Sequence, residues 1–322
     1  MAIFKGVDFF PHGLRLPIVQ NARYAIWLSF LLAGIAAAML LTRGFNYGVD
    51  FKGGTMIEVR AKQGTADLAK LREATGKLGL GGIQVQGFGV GSDPRDALLR
   101  VETQPGGDKA QEAVPKIVGE ALKDYEIRRI ETVGAAVSSE LKSAALYAII
   151  AALIGIFAYV WFRFEWQFAT ASIVALIHDV FIAAGMFALF QFEFDLTIVA
   201  ALLTLAGYSI NDTVVVFDRI RENLRKYKKM PLPELFNLSI NETMSRTVLT
   251  APAILMAVAA LWLFGGEVIE NFAMTMFFGI IIGTFSSIFV AAPLVLWFGI
   301  ERETITGGEK EKTAEAAATA KT

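Results

Sequence analysis

The sequence contains no cysteine and only two histidines, and few of its residues carry charge. Without cysteine the chain cannot form disulfides, thiolate nucleophiles, iron–sulfur clusters or cysteine-ligated zinc sites. Because His12 and His178 are the only histidines, a histidine-built metal site is poorly supported, and we expect no metal and no cofactor. Charged residues make up 19% of the 322 residues, against roughly 25% in an average soluble domain. The net charge of −1 argues against binding to nucleic acid.

Apolar side chains, in contrast, are abundant. Hydrophobic residues account for 54% of the chain and the mean hydropathy is +0.50, which is more than one water-soluble core can bury. A helix needs about 20 mostly apolar residues to cross a bilayer, and six segments approach that length. They are residues 24–42 and, within residues 142–298, about 144–162, 168–190, 196–217, 244–264 and 272–298. The sequence therefore predicts a polytopic α-helical membrane protein with six transmembrane helices.

The first segment resembles a signal peptide in having an A-x-A pattern at Ala36 and Ala38. Its apolar stretch of about 18 residues is longer than the 7–15 residues of a signal peptide, so we interpret it as an uncleaved helix. Basic residues in short loops predict orientation. The loops after the third and fifth segments contain no basic residue. The loop after the fourth segment contains six: Arg219, Arg221, Arg225, Lys226, Lys228 and Lys229. Residues 1–23 and a disordered tail, 299–322, are therefore predicted to be cytoplasmic, and residues 43–141 to lie outside.

The long segment between the first two helices has the character of a soluble domain. Its alternating and helical patterns follow the order β-α-β-β-α-β, which predicts an α+β ferredoxin-like domain over residues 43–141. About 97 residues suffice for a small independent core. The segment contains no histidine and no nucleophile–base–acid set. We therefore expect a binding or lever domain and not an enzyme.

Two opposite charges are predicted to lie at matching depth inside the helices. At 1.5 Å per residue, Asp212 lies about 24 Å from the outer end of its span at Leu196, and Arg246 lies about 27 Å from Phe264. An ionisable residue within a span costs about 2.5–3.5 kcal/mol on insertion scales and is a functional candidate for that reason. Because opposite charges attract strongly in a low dielectric, we predict that Asp212 and Arg246 form a pair.

Other polar residues surround these candidates. Tyr208 and Ser209 share the helical face of Asp212, and Asn211 adjoins it. His178 and Asp179 lie near the middle of the third span. We interpret Asp212 and Arg246 as a proton-coupling site and the other five as proton-relay or supporting polar residues. A purely structural pair, and a histidine that only packs, remain open alternatives.

A further pattern, the GxxxG of Gly279 and Gly283 in the sixth span, is more typical of close helix packing than of a dimer seam.

Four motifs of this sequence resemble the SecD/SecF family of protein-export membrane proteins. They are GVDFKGGT at 48–55, VGAAVSSEL at 133–141, His178-Asp179, and GYSINDTVVVFDRIREN at 207–223. The last motif is highly specific, and the resemblance covers essentially residues 15 to 300, closest to the smaller, SecF-type subunits.

The resemblance implies a subunit in the bacterial inner membrane with a periplasmic soluble domain. It implies a place in the resistance–nodulation–division superfamily, with this chain as one six-helix half and a SecD-like partner as the other. Together the two halves would use the proton gradient to move preproteins through the SecYEG translocon, and the family's essential aspartate and arginine fall on Asp212 and Arg246. The alternatives are a small-molecule/proton antiporter of the same superfamily and, less favoured, an intramembrane hydrolase, for which the sequence offers neither GxSxG nor HExxH.

Overall fold

The computed structural model describes residues 16–87 and 93–300, so most of the predicted cytoplasmic N-terminal segment and nearly all of the predicted tail lie outside the described residues. Six helices within it are long and apolar enough to cross a membrane, which confirms the predicted number. In chain order the elements are α1 (Ile18–Thr42), β1 (Asn46–Tyr47), α2 (Val49–Lys52), β2 (Gly54–Ala61), α3 (Leu68–Gly76), β3 (Ile83–Gly87), β4 (Asp96–Val101), α4 (Asp108–Ala121), β5 (Tyr125–Val133), α5 (Ala135–Arg163), α6 (Trp166–Phe190), β6 (Glu193–Phe194), α7 (Leu196–Lys226), α8 (Leu232–Phe264), α9 (Glu267–Ser286), a π-helical segment (Ser287–Ala291) and α10 (Ala292–Trp297).

The six spans are α1, α5, α6, α7, α8 and the continuous run from α9 to α10, and they divide into an inner and an outer group. Of their most apolar 18-residue windows, 44% is buried in α6, 50% in α7 and 61% in the sixth span, against 11% in α1, 11% in α5 and 17% in α8. Large buried aromatic side chains such as Phe168, Phe187 and Phe217 fill the space between the inner helices. The inner three spans therefore form the core of the bundle, and the polar residues on their buried sides are shielded from lipid.

The soluble domain, residues 46–133, contains a four-stranded antiparallel sheet with the order β3-β4-β2-β5. Its elements from β2 to β5 follow the predicted order strand, helix, strand, strand, helix, strand. Side chains on β2 and β5 alternate between more and less buried positions, as expected for strands with one covered face. Ile57 and Leu99 of the sheet pack with Leu71 of α3 and Val118 of α4, all fully buried, to form a separate small core.

Several spanning helices extend beyond the predicted apolar segments, and the fourth continues to Lys226 and not only to residue 217. The first spanning helix begins at Ile18 and not at residue 24, the second begins at Ala135 inside the predicted soluble domain, and the fifth begins at Leu232 and not near 244. Hydropathy marks only the part of a helix that lipid covers, whereas backbone hydrogen bonding continues into the polar region beyond it. At the start of α1, the side chain of Asn237 accepts a hydrogen bond from the Val19 N–H at 2.8 Å, which helps to hold this polar extension in place.

The two adjacent glycines at 53 and 54 have a steric function at the start of the soluble sheet. Gly53 ends α2 with φ +74°, and Gly54 opens β2 with φ +118°. A Cβ atom on Gly54 would lie 2.4 Å from the carbonyl oxygen of Val101 on the neighbouring strand β4. Only a residue without a side chain permits both this backbone conformation and the close approach of the strands.

We therefore expect Gly54→Ala to destabilise the soluble domain by at least about 2 kcal/mol, through the strained backbone and the clash with the strand. Thermal unfolding of the purified protein and its sensitivity to protease measure this. The matched control is Gly64→Ala, because Gly64 also has a positive φ, +71°, but a Cβ atom on it would have no neighbour within 4 Å. Equal losses in the two variants would contradict the steric part of the explanation.

The start of α7 is capped by a carboxylate in an unusual environment. Asp195 Oδ1 accepts a hydrogen bond from the Ile198 N–H at 3.0 Å. Burial raises the pKa of Asp195 from 3.8 to about 6; the hydrogen bond from Ile198 opposes this rise, and the nearby carboxylates of Glu193 and Asp50 add to it. The folded protein therefore binds a proton more tightly than the unfolded chain does, and its stability falls as the pH rises through the interval between these two pKa values.

Asp195→Asn should remove this dependence, because asparagine caps helices as well as aspartate does and carries no charge. At pH 7.5 we expect the variant to be more stable than the parent by up to about 3 kcal/mol, a difference that shrinks toward zero near pH 4. Thermal unfolding in detergent across this pH range measures it. Asp67→Asn makes the same change at the exposed cap of α3 and should barely alter stability at pH 7.5. Parallel pH curves for the parent and Asp195→Asn would contradict the prediction.

Candidate functional site

Asp212 lies in the interior of the bundle, on the central helix α7. The residue is 8% exposed, and its Oδ2 atom is buried without a hydrogen-bond partner among the described residues. Tyr208 lies one turn earlier and is half-buried, with its hydroxyl near Asp212 and near Thr284 of α9. A buried carboxylate oxygen that accepts no hydrogen bond is energetically unfavourable. The fold thus holds Asp212 in a position that lacks the compensation a buried acid usually has.

Arg246 of α8 is exposed and lines a groove of about 1000 Å³ at the end of the bundle that carries the basic residues of α7. It is near enough for its charge to act on Asp212. The structure describes both side chains, and neither a hydrogen bond nor an ion pair joins them. The direct pair predicted from the sequence is therefore not formed here, because Asp212 is enclosed by the bundle whereas Arg246 faces the groove.

Asp179 of α6, in contrast to Asp212, is buried with hydrogen-bond partners. The residue is 0% exposed, and its Oδ2 atom accepts hydrogen bonds from Ser209 Oγ of α7 at 2.6 Å and from Ser286 Oγ of α9 at 2.7 Å. Its Oδ1 atom lies 2.9 Å from Nδ1 of His178. One carboxylate thus joins three inner helices and has a partner at each oxygen.

The residues that were predicted to surround Asp212 and Arg246 therefore divide between two centres, one at Asp212 and one at Asp179. Ser209 shares the buried side of α7 with Asp212, but its hydroxyl bonds to Asp179 because α6 packs against that side of the helix. Asn211 is exposed and contributes to neither centre. His178 belongs to the Asp179 centre, where its Nε2 atom is buried without a hydrogen-bond partner in the described part of the chain.

Sequence reasoning missed the hydroxyl groups of the sixth span. Besides Ser286, the hydroxyl of Ser287 lies 3.0 Å from that of Thr213 on α7. The signal was available: both serines follow Gly283 by three and four residues, so they continue the face of the GxxxG pattern. A π-helical segment begins at Ser287, and such segments are frequent at functional sites.

The GxxxG pattern itself packs within the chain. A Cβ atom on Gly279 would lie 2.5 Å from Leu205 Cδ2, and one on Gly283 would lie 3.2 Å from Ser209 Cβ, both on α7. This confirms the interpretation as close helix packing. Because Gly279 and Gly283 have no side chains, α9 lies close enough for Ser286 to reach hydrogen-bond distance of Asp179.

Two spanning helices expose small or polar residues where lipid-facing helices usually present large apolar ones. On α7 these residues follow a single helical face: Ala200, Thr204, Gly207 and Asn211. On α8 the exposed face that carries Arg246 continues through Ala253 and Ala257. Small residues permit close approach of another helix and gain little from contact with acyl chains.

The chemistry available at the two centres is that of proton binding. Carboxylates, hydroxyls and an imidazole exchange protons readily. Among residues 16–87 and 93–300, no three histidine, aspartate or glutamate side chains are grouped so that they could hold a metal ion.

Comparison with known proteins yields consistent matches along the chain. The family model described as "Protein export membrane protein SecD/SecF, C-terminal" matches residues 113–301, and the "SecD/SecF GG Motif" model matches residues 38–65, which include Gly53 and Gly54. The protein translocase subunit SecF of Cereibacter sphaeroides is 47% identical over 311 residues, covering 94% of each chain. SecF of Magnetococcus marinus is 45% identical over 296 residues, covering 90% of this chain and 94% of the relative.

Longer relatives match over part of their length. The protein translocase subunit SecDF of Brucella abortus is 44% identical over 299 residues, which are 92% of this chain but 39% of the relative. The crystal structure of SecDF from Thermus thermophilus, a translocon-associated membrane protein, superposes with a TM-score of 0.79 at 37% identity, covering 89% of this chain and 39% of that one. This chain thus spans about two fifths of the length of the SecDF proteins it matches.

The Asp179 centre allows a direct test of its contribution to packing. Ser286→Ala removes one of the two hydroxyl donors to Oδ2, and we expect a loss of about 1–3 kcal/mol, the usual cost of removing one partner of a buried hydrogen bond. Thermal unfolding in detergent is the measurement. Ser143→Ala is the matched control, because Ser143 is an exposed serine whose hydroxyl bonds only to the backbone of its own helix, α5, at 3.1 Å. Equal stability of the two variants would contradict a structural role for the Ser286 contact.

Proposed function

Because the chain belongs to the SecD/SecF family of protein-export membrane proteins, we propose that it is a SecF-like subunit that couples proton flow across the inner membrane to preprotein translocation. It would act with a SecD-like partner beside the SecYEG translocon. The soluble domain would lie in the periplasm and both termini in the cytoplasm, as the basic residues at the end of α7 favour. The subunit would perform no covalent chemistry on its substrate.

The observation that carries this proposal is the buried carboxylate of Asp212, whose Oδ2 atom has no hydrogen-bond partner in the described part of the chain. A structural acid in a membrane helix is expected to be fully hydrogen-bonded, as Asp179 is. Among the described residues, Asp212 instead has an oxygen without a hydrogen-bond partner, and Arg246 is nearby but not bound to it. Such a carboxyl group can be neutralised either by a proton or by approach of the Arg246 guanidinium. Alternation between these two states would load a proton on one side and release it on the other.

The membrane potential supplies enough free energy for such a cycle to drive a conformational change. One charge that crosses the full membrane potential gains about 2.3 kcal/mol per 100 mV. That free energy shifts an equilibrium between two conformations by more than tenfold. The groove of about 1000 Å³ beside Arg246 supports a route for protons between this residue and the aqueous phase at the basic end of the bundle.

The exposed small and polar residues of α7 and α8 support a partner with helices of its own. They lie on the faces next to Asp212 and Arg246. The SecDF relatives contain a counterpart of this protein in one chain, and about three fifths of their length lies outside the part that matches. A SecD-like half would cover these faces and exclude lipid from the proton site. The relatives described above are named as protein translocase subunits, so no observation favours the antiporter alternative.

Asp212→Asn should abolish the stimulation of export by a proton gradient, because the side chain of asparagine does not bind or release a proton near neutral pH. We expect gradient-stimulated export to fall by at least about tenfold. The measurement is preprotein translocation into vesicles that contain this subunit, a SecD-like partner and SecYEG, with and without an imposed gradient. Proton flux through the same vesicles is recorded in parallel.

The matched control for this experiment is Asp67→Asn, the same change at an exposed aspartate that caps α3 of the soluble domain. Asp67 lies outside the groove beside Arg246. We expect export near the parent level in this variant. Gradient-stimulated export at the parent rate in Asp212→Asn would overturn the proposed coupling role.

A further inference from the structure

The soluble domain is attached to the bundle by more than its two chain connections. The short strand β1, which follows α1, pairs in parallel with β6, in the loop between α6 and α7, in the register Asn46 with Glu193 and Tyr47 with Phe194. The N–H of Gly48 donates a hydrogen bond to the Phe194 carbonyl at 2.9 Å. The fit is close, since a Cβ atom on Gly48 would lie 2.7 Å from Glu193 Oε1.

An ion pair reinforces this junction from the sheet of the soluble domain. Arg100 of β4 pairs with Glu193, and their side chains are only 9% and 18% exposed. Arg100 Nη1 also donates to the side-chain oxygen of Asn46 at 3.4 Å. The arginine therefore contacts both strands of the β1–β6 pair. Because it is largely buried, removal of its charge leaves Glu193 without its compensating partner.

A third contact reaches the first turn of α7. Asp50 Oδ2, in the short helix α2, accepts a hydrogen bond from the backbone N–H of Leu196 at 3.0 Å. This N–H is one of those that a helix start cannot satisfy internally. A side chain of the soluble domain thus completes the end of the helix that carries Asp212, about 24 Å further along at 1.5 Å per residue.

The helix joined in this way is suited to transmit movement. The helices that continue directly into the soluble domain, α1 and α5, belong to the outer group of the bundle, whereas α7 is central and 31 residues long. A continuous helix is stiff along its axis, so a shift near Asp212 moves its first turn as well. The aromatic side chains of Phe51, Phe187 and Phe194 pack beneath the junction and leave it little freedom to bend.

We propose that α7 is the mechanical link between the proton site and the soluble domain, with Asp50 and the Arg100–Glu193 pair as the contacts that transmit its movement. This inference rests on the proposed function, since it concerns how proton binding at Asp212 reaches the domain that would act on the preprotein. Arg100, Glu193 and Asp50 are positioning residues in this scheme, and none of them takes up the transported proton.

The test separates proton flux from export. In vesicles with the SecD-like partner and SecYEG, Arg100→Gln should retain proton flux within about twofold of the parent and should lose gradient-stimulated export by at least about tenfold, because the site still cycles but the domain no longer follows. Arg128→Gln is the matched control, since Arg128 is an exposed arginine on β5 of the same sheet, outside the junction. It should preserve both activities.

The second experiment introduces a disulfide across the junction. Because the chain has no native cysteine, within this chain the two introduced cysteines can pair only with each other. In the double variant Asn46→Cys with Glu193→Cys, the two positions are direct partners in the parallel β1–β6 pair. Neighbouring strands lie about 4.8 Å apart, within the range of Cα separations that disulfides bridge. In its reduced form the double variant lacks the Arg100–Glu193 ion pair and should conduct protons without gradient-stimulated export. In its oxidised form it should recover export, because the disulfide joins β1 to β6 in place of the ion pair. The comparison uses one folded protein and so remains decisive where Arg100→Gln fails to accumulate.

Three outcomes would overturn the link. These are export at the parent level in Arg100→Gln, a parallel loss of flux and export in that variant, or a block of export by the oxidised disulfide, which would mean that the junction must open. Asp212→Asn, measured in the same vesicles, distinguishes this failure from that of the proposed function. If Asp212→Asn retains export, the coupling role itself is wrong. If Asp212→Asn loses flux and export whereas Arg100→Gln keeps both, only the link is wrong.

Discussion

The requirement that dominates this structure is that a carboxylate inside a membrane needs hydrogen-bond donors or an opposite charge. Asp179 meets it completely, with donors from α7 and α9 and an imidazole beside it. Asp212, on the adjacent helix, does not, because one oxygen has no partner among the described residues and Arg246 is not bound to it. The two acids therefore differ in how this cost is met: hydrogen bonds compensate Asp179, whereas the missing partner of Asp212 supports the coupling role proposed for it.

The arrangement of the helices follows from where these polar groups lie. The three inner spans carry the two acids and the hydroxyl groups between them, and glycines on α9 let the helices approach closely enough for hydrogen bonds. The surface of the bundle is mainly apolar, except along the exposed faces of α7 and α8 near Asp212 and Arg246. The polar centre and the surface suited to a second half are therefore adjacent. At the other end of α7, contacts from Asp50 and Arg100 attach the soluble domain to the same helix or its preceding loop.

Much of the fold was predictable because its signals are local. Apolar runs of sufficient length indicated the six spans, and alternating or helical spacing indicated the order of elements in the soluble domain. The family resemblance seen in the four motifs is confirmed by the matched relatives. The helices that begin at Ile18, Ala135 and Leu232 extend beyond the predicted spans, because backbone hydrogen bonding continues past the apolar stretch and hydropathy does not register it.

At the candidate site, the sequence alone identified which residues carry ionisable groups and how deep along each helix they lie, because helical rise converts residue number into distance. Only the tertiary structure decided which of them meet. It directed Ser209 to Asp179, brought in Ser286 from a span 107 residues away in sequence from Asp179, left Asp212 without a bound partner among the described residues, and joined Arg100 to Glu193. The reason is that depth is fixed by a helix's own geometry, whereas the rotation of each helix and its neighbours are set by packing among all six.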